Sequence, residues 1–142
     1  MVNNLQFEGS YDISVFEINI RFVGGFLSAY ALTKDEVFLK QADNIARKLL
    51  PAFNTPTGIP YAMVNVQTQN ARNWGWASGG CSILAEFGTL SMEFLYLSEL
   101  TGDNIFREKI EKINSHLKSI DKDNGLYPNY LNPSTGLWCM SK

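Results

Sequence analysis

Three charged side chains in this chain of 142 residues stand among apolar neighbours, and they are the ones with the most useful chemistry. Glu17 is set between Val15 and Phe16 on one side and Ile18 and Ile20 on the other. Burial among such groups favours a protonated carboxyl, the form a general acid needs near neutral pH. Arg21 follows four residues later, one helical turn along the same face, within reach of Glu17 or of a ligand's hydroxyl groups. Desolvation favours the neutral acid and an ion pair favours the carboxylate, so the two surroundings act in opposite directions. Taken out of context, Glu17 and Arg21 are an ordinary helical ion pair. Glu86, flanked by Leu84, Ala85 and Phe87, is a second carboxylate in a poor environment for an unpaired charge. Glu93 lies two turns farther along that face, as a further polar group or a partner for a basic residue.

Other chemistries find little support. His116, the single histidine, falls among Asn114, Ser115 and Lys118 and reads as a solvated residue on a polar helix. With no second histidine and no cysteine cluster, the sequence offers no transition-metal site. There is no Gly-rich phosphate loop and no nucleophile elbow, and Gly24-Gly25 reads as room for close helix packing. Cys81 and Cys139 leave one bridge or two thiols equally open.

The elements that must position the glutamates form a repeat. Leu32-Thr33-Lys34-Asp35-Glu36-Val37-Phe38 realigns with Leu100-Thr101-Gly102-Asp103-Asn104-Ile105-Phe106 at an offset of 68. Gly58-Ile59-Pro60-Tyr61 through Asn65 realigns with Gly125-Leu126-Tyr127-Pro128 through Asn132 at an offset of 67. Two units of one plan follow, about 12–66 and about 78–133. Each reads as an apolar inner helix (about Asp12 to Leu32, about Ser78 to Leu100) and an outer helix with a charged face (about Asp35 to Phe53, about Asp103 to Ile120). An extended segment marked by Gly and Pro closes each unit. Asp35 and Asp103 sit as N-caps, and Pro51 should bend or stop the first outer helix. Inner helices apolar on most faces bury them by stacking side by side, in a solenoid or a closed toroid. Two units cannot close a ring, so the natural domain is expected to continue beyond Lys142.

Composition fits that plan. With 45% hydrophobic and 18% charged residues the chain is a globular domain with its own core, and disorder is excluded. A formal charge of -2 with interleaved signs leaves no basic stripe, so no nucleic-acid partner is expected. The most apolar stretch, Val15 to Leu32, carries Glu17 and Arg21, which argues against a membrane span. Trp74, Trp76, Tyr61, Tyr127 and Tyr130 lie outside the helical patterns, where they fill a core or offer flat faces to a ligand.

The run Ser14-Val15-Phe16-Glu17-Ile18-Asn19-Ile20-Arg21 through Tyr30 resembles the early catalytic segment of class I α-1,2-mannosidases, glycoside hydrolase family 47. Further matches follow in order: Leu49 to Pro60, Arg72-Asn73-Trp74 to Gly80, Ile83-Leu84-Ala85-Glu86-Phe87-Gly88-Thr89-Leu90, and Gly125 to Pro133. The resemblance covers nearly everything from Ser14 to Trp138, and the stretch Asn73 to Gly80 is more similar to the Golgi type than to the endoplasmic-reticulum type. It implies an all-α fold of two αα-hairpin repeats with short β-hairpin or loop insertions, part of an (αα)7 barrel. Residues 1–142 would then be a partial catalytic domain.

The resemblance also implies the chemistry: calcium-dependent, inverting removal of terminal α-1,2-linked mannose from high-mannose N-glycans. Inversion needs two carboxyl groups about 6.5–9.5 Å apart, one to protonate the leaving oxygen and one to activate water. Glu17 falls at the family's general acid, with Arg21 and Glu86 in substrate binding. The base and the calcium-coordinating threonine are expected in later repeats, with no metal ligand in this chain and no mannose released by it alone. The ending Leu137 to Lys142 departs from the family pattern. The implied location is the lumenal side of the secretory pathway, the Golgi or alternatively the endoplasmic reticulum, with a membrane-anchored full-length parent. Two other readings stay open: a non-catalytic, mannosidase-like lectin of glycoprotein quality control, and a plain helical-repeat scaffold.

Overall fold

Ser14 decides where the first inner helix begins. Its hydroxyl accepts the Glu17 amide at 3.2 Å, satisfying a donor that the first helical turn leaves free. In the computed structural model, which describes residues 7–122 and 124–139, the helix runs as α1 (Val15–Ile18), a π-helical turn (Asn19–Val23) and α2 (Gly24–Thr33). The helix expected from about Asp12 loses its first three residues to a strand, β1 (Asp12–Ser14). These residues pair antiparallel with β2 (Met63–Asn65), which in turn pairs with β3 (Ala71–Arg72). Lys34, in the left-handed region, ends α2 and returns its amide to the Tyr30 carbonyl. Asp35 then caps the outer helix α3 (Glu36–Leu49) through the Val37 amide at 3.0 Å. As expected, α3 stops just before Pro51, and a 3-10 turn (Leu50–Phe53) takes the chain away.

The second unit repeats this plan with one break. Where an unbroken helix from about Ser78 was expected, a 3-10 turn (Ser78–Gly80) and β4 (Ser82–Ile83) precede α4 (Leu84–Phe87), and the helix resumes as α5 (Ser91–Thr101). The interruption has a local cause. The Thr89 hydroxyl donates to the carbonyls of Ala85 (2.9 Å) and Glu86 (3.1 Å), competing with the helical ladder. Gly88 brings its backbone so close to the Leu84 carbonyl oxygen that a Cβ would lie 2.7 Å from it. The outer helix α6 (Ile105–Ser119) opens with Asp103 accepting the Ile105 amide at 3.0 Å, the same bond that Asp35 makes. The chain returns as β5 (Tyr130–Leu131) alongside β4.

Both units are stitched by the same hydrogen bonds. The Val15 amide donates to Ala62 (2.9 Å) and the Leu84 amide to Asn129 (2.8 Å). Asn65 accepts the amides of Gln67 and Thr68, and Asn132 those of Ser134 and Thr135, so each unit turns its hairpin on an asparagine side chain. Each hairpin therefore lies beside the strand that feeds an inner helix. The two glutamates emerge at the same register, Glu17 third in α1 and Glu86 third in α4.

The core lies between inner and outer helices. From α3 it takes Ala42, Ile45, Ala46 and Leu49; from α6, Phe106, Ile110 and Ile113. Phe94 of α5 is fully buried between Phe53 (5.5 Å between ring centroids) and Phe106 (5.3 Å). The inner helices also keep apolar surface outside this core, including Leu32 and Met92, which are 86% and 78% exposed. By length and composition Val15–Thr33 could cross a membrane, yet it is bonded to Ala62 and packed on α3 and α5 as an element of the fold.

Cys81 and Cys139 form a disulfide across 58 residues of sequence, resolving the alternative that composition left open. It ties the approach to β4 to the end of the second hairpin, where the Cys139 amide also donates to the Tyr130 carbonyl. The first six and last three residues of the expected 1–142 domain lie outside the described ones.

Candidate active site

The strand-to-helix junctions bring Glu17 and Glu86 to the same end of neighbouring inner helices, where α1 packs against α4. Arg21, one turn on from Glu17, donates its Nε–H to Glu17 Oε2. The pair is open to solvent, with Glu17 47% and Arg21 67% exposed. The expected burial of Glu17 is thus only partly found: Val15 is buried, Phe16 and Ile18 are half-buried, and Ile20 is exposed. An ion pair this exposed contributes at most about 1 kcal/mol to stability, so folding alone gives little reason to keep it.

Glu86 has a different setting. The indole Nε1–H of Trp74 donates to Oε1 at 3.0 Å, while Oε2 is buried with no hydrogen-bond partner. Burial raises the Glu86 carboxyl above the usual glutamate range, the nearby negative charge of Glu17 adds to the rise, and the Trp74 bond opposes it. Between the two helices lies a small hollow lined by Val15, Phe16, Tyr61, Ser82 and Phe87, with Glu86 at its side. One carboxylate paired to a cation and one with a buried oxygen that lacks a partner, beside an apolar wall, suit a ligand rich in hydroxyl groups.

Glu93 takes an amide partner rather than a basic one: Asn19 Nδ2–H donates to Oε2 at 2.8 Å. Asn19 is fully buried in the π-helical turn between Glu17 and Arg21, so this bond ties their backbone to α5. Sequence reasoning passed over Asn19, although a buried asparagine in an apolar run is itself a signal of a polar link. It also missed that Trp74 bonds Glu86 and that Asn73 secures the Trp74 loop. Asn73 accepts the Ala62 amide (2.8 Å) and donates to the Gly80 carbonyl (2.7 Å). His116 differs from expectation too, since it is half-buried with Nε2–H donating to the Gly136 carbonyl at 3.1 Å.

Residues 1–142 match the family described as Glycosyl hydrolase family 47. The chain belongs to glycosyl hydrolase family 47. It is 60% identical over 136 residues to human mannosyl-oligosaccharide 1,2-alpha-mannosidase IB, covering 96% of this chain and 21% of that protein. It is 60% identical over 129 residues to Drosophila melanogaster mannosyl-oligosaccharide alpha-1,2-mannosidase IA, covering 91% of this chain and 19% of that one. Among solved structures, the alpha-1,2-mannosidase from Trichoderma reesei superposes with a TM-score of 0.81 at 30% identity, covering 96% of this chain and 32% of its own. The chain spans about a fifth of the length of these curated relatives. Paired helices with small β-hairpin insertions are thus the family 47 α/α arrangement, as expected.

Calcium, which family 47 implies, finds no fit in this part of the fold. Among the described residues, no three His, Cys, Asp or Glu side chains gather into a carboxylate-rich cation site.

Proposed function

We propose that this chain carries part of the mannose-binding end of a mannosyl-oligosaccharide 1,2-alpha-mannosidase, acting on terminal α-1,2-linked mannose of high-mannose N-glycans. The observation that carries the reading is the placement of Glu17 and Glu86 at one register on adjacent helices, close enough for the charge of Glu17 to act on Glu86. Family membership supplies the chemistry.

Glu17 serves as the general acid: open to solvent, it takes up a proton there and delivers it to the departing glycosidic oxygen. Arg21 holds and orients the Glu17 carboxyl and meets sugar hydroxyls from the solvent side. Glu86 offers Oε2 to a mannose hydroxyl, a donor that would satisfy an atom now lacking a partner. Inversion also requires a second carboxylate to activate water from the opposite face, and this is assigned, with the calcium ligand, to later repeats. The chain alone then binds but does not hydrolyse.

The Cys81–Cys139 bridge supports a lumenal location in the secretory pathway, because such bonds persist in oxidising compartments. The Golgi is the proposed site, and the full-length parent is proposed to be membrane-anchored by a segment other than the Val15–Thr33 helix.

NMR titration of the chain with α-1,2-mannobiose, with free mannose assayed in parallel, tests this directly. Binding that is lost in Glu86→Gln and in Arg21→Ala, without mannose release, is expected. Binding indifferent to both substitutions would remove the site, and robust turnover would show that the chain holds its own base.

A further inference from the structure

The π-helical turn of the first inner helix, Asn19–Val23, contains Arg21 and is closed by the Gly24 amide reaching back to the Asn19 carbonyl. Such turns are rare and persist where other contacts secure them. Here the securing contact comes from the second unit. Asn19 is fully buried, its Nδ2–H donates to Glu93 Oε2 at 2.8 Å, and its Oδ1 has no hydrogen-bond partner. Burying an amide with part of its polar capacity unmet costs stability that an apolar side chain would not, so folding alone does not account for it. Glu93 also passes over Gly24, with Cγ and Oε1 at 3.4 and 3.5 Å from the place of a Cβ there. Both ends of the π turn are therefore referenced to one side chain of α5, and Arg21 lies between them.

We infer that Asn19 and Glu93 are positioning residues, whose bond is a latch that fixes the π turn and holds Arg21 and Glu17 in register with the second inner helix. Resting on the mannose reading above, the latch adds to it the means by which the two halves of the site are aligned. Glu17 stands two residues before Asn19 and Arg21 two after it, so the ion pair spans the latch. Both side chains are open to solvent, where their mutual contact does little to fix them, and the backbone beneath must supply the aim. Glu86 comes from the same interrupted inner helix as Glu93, so a bond made to Glu93 also sets Glu17 and Arg21 relative to Glu86.

The test compares variants by NMR, with folding checked by circular dichroism and two readouts: exchange of the Arg21 Nε–H with water, and affinity for α-1,2-mannobiose. Glu93→Ala removes the acceptor, and Asn19→Asp sets two carboxylates against each other. In both, exchange at Arg21 Nε should quicken about tenfold and mannobiose should bind about tenfold more weakly. Glu93→Gln keeps an acceptor for the Asn19 amide and should behave as wild type. Asn19→Asp combined with Glu93→Gln reverses the direction of the bond and should recover both readouts. Should Asn19→Asp fail to fold, the two changes at Glu93 decide, since neither buries a new charge. A folded Glu93→Ala chain in which neither readout moves would overturn the latch, whatever stability it loses. Glu93→Gln as impaired as Glu93→Ala would show that Glu93 acts through its charge, and would overturn the latch too. Wild-type chain that binds no mannobiose, with Arg21 Nε still answering to Glu93→Ala, would remove the mannose reading and leave the latch standing.

Discussion

Trp74 donates its indole N–H to Glu86 across 3.0 Å, joining a surface loop to the third residue of a short helix. The bond favours the carboxylate, whereas burial and the charge of Glu17 favour the acid. Trp74→Phe keeps a ring and removes the donor. The Glu86 carboxyl should then titrate at a higher pH than in the wild-type chain, as followed by carbon NMR of the side chain.

The raised Glu86 carboxyl also gives stability a definite pH dependence. The folded state holds this proton more tightly than the unfolded chain, so the contribution is full below the ordinary glutamate range. It is lost as pH rises through the raised value. Glu86→Gln should flatten that fall, and urea midpoints measured across the acid range would show it.

Closing a loop across 58 residues restricts the unfolded chain, and loop entropy puts the gain from the Cys81–Cys139 bridge at about 4 kcal/mol. Reduction, or Cys139→Ser, should lower the urea midpoint accordingly. Amide exchange should quicken most at Tyr130 and Leu131, the strand nearest the bridge.

Phe94 joins the two halves of the core through Phe53 and Phe106. Phe94→Ala should cost about 3–5 kcal/mol in urea denaturation, since the rings on either side cannot both close the gap. An exposed change such as Met92→Ala should stay within about 0.5 kcal/mol.

Gly88→Ala tests how the helix break serves the site. Its Cβ would lie 2.7 Å from the Leu84 carbonyl oxygen, a rigid backbone atom, so the end of α4 must shift. Mannobiose binding should weaken in a chain that still folds, because Glu86 lies two residues earlier and moves with that turn.

What the sequence made legible was local. Asp35 and Asp103 marked helix starts because a cap acts within two residues, and the outer helices showed their buried stripes at helical spacing. Glu17 and Arg21 could be paired on paper because four residues make one turn. What escaped depended on contacts made across the fold. Asp12–Ser14 is a strand because Met63–Asn65 lies beside it, and the Cys81–Cys139 bridge waits on the second hairpin folding back. Trp74 finds Glu86 and Asn19 finds Glu93 only after the inner helices pack. Helix periodicity carries none of that information.

Glu17 and Glu86 stand at the facing ends of α1 and α4, where the charge of one acts on the other. The most direct measurement of that coupling is the carbon NMR titration of the Glu86 carboxyl in the wild-type chain and in Glu17→Gln. Removing the negative charge while keeping Arg21 should move the Glu86 midpoint to lower pH. A midpoint that stays where it was would mean the two carboxyl groups stand apart, and the shared mannose site would be contradicted.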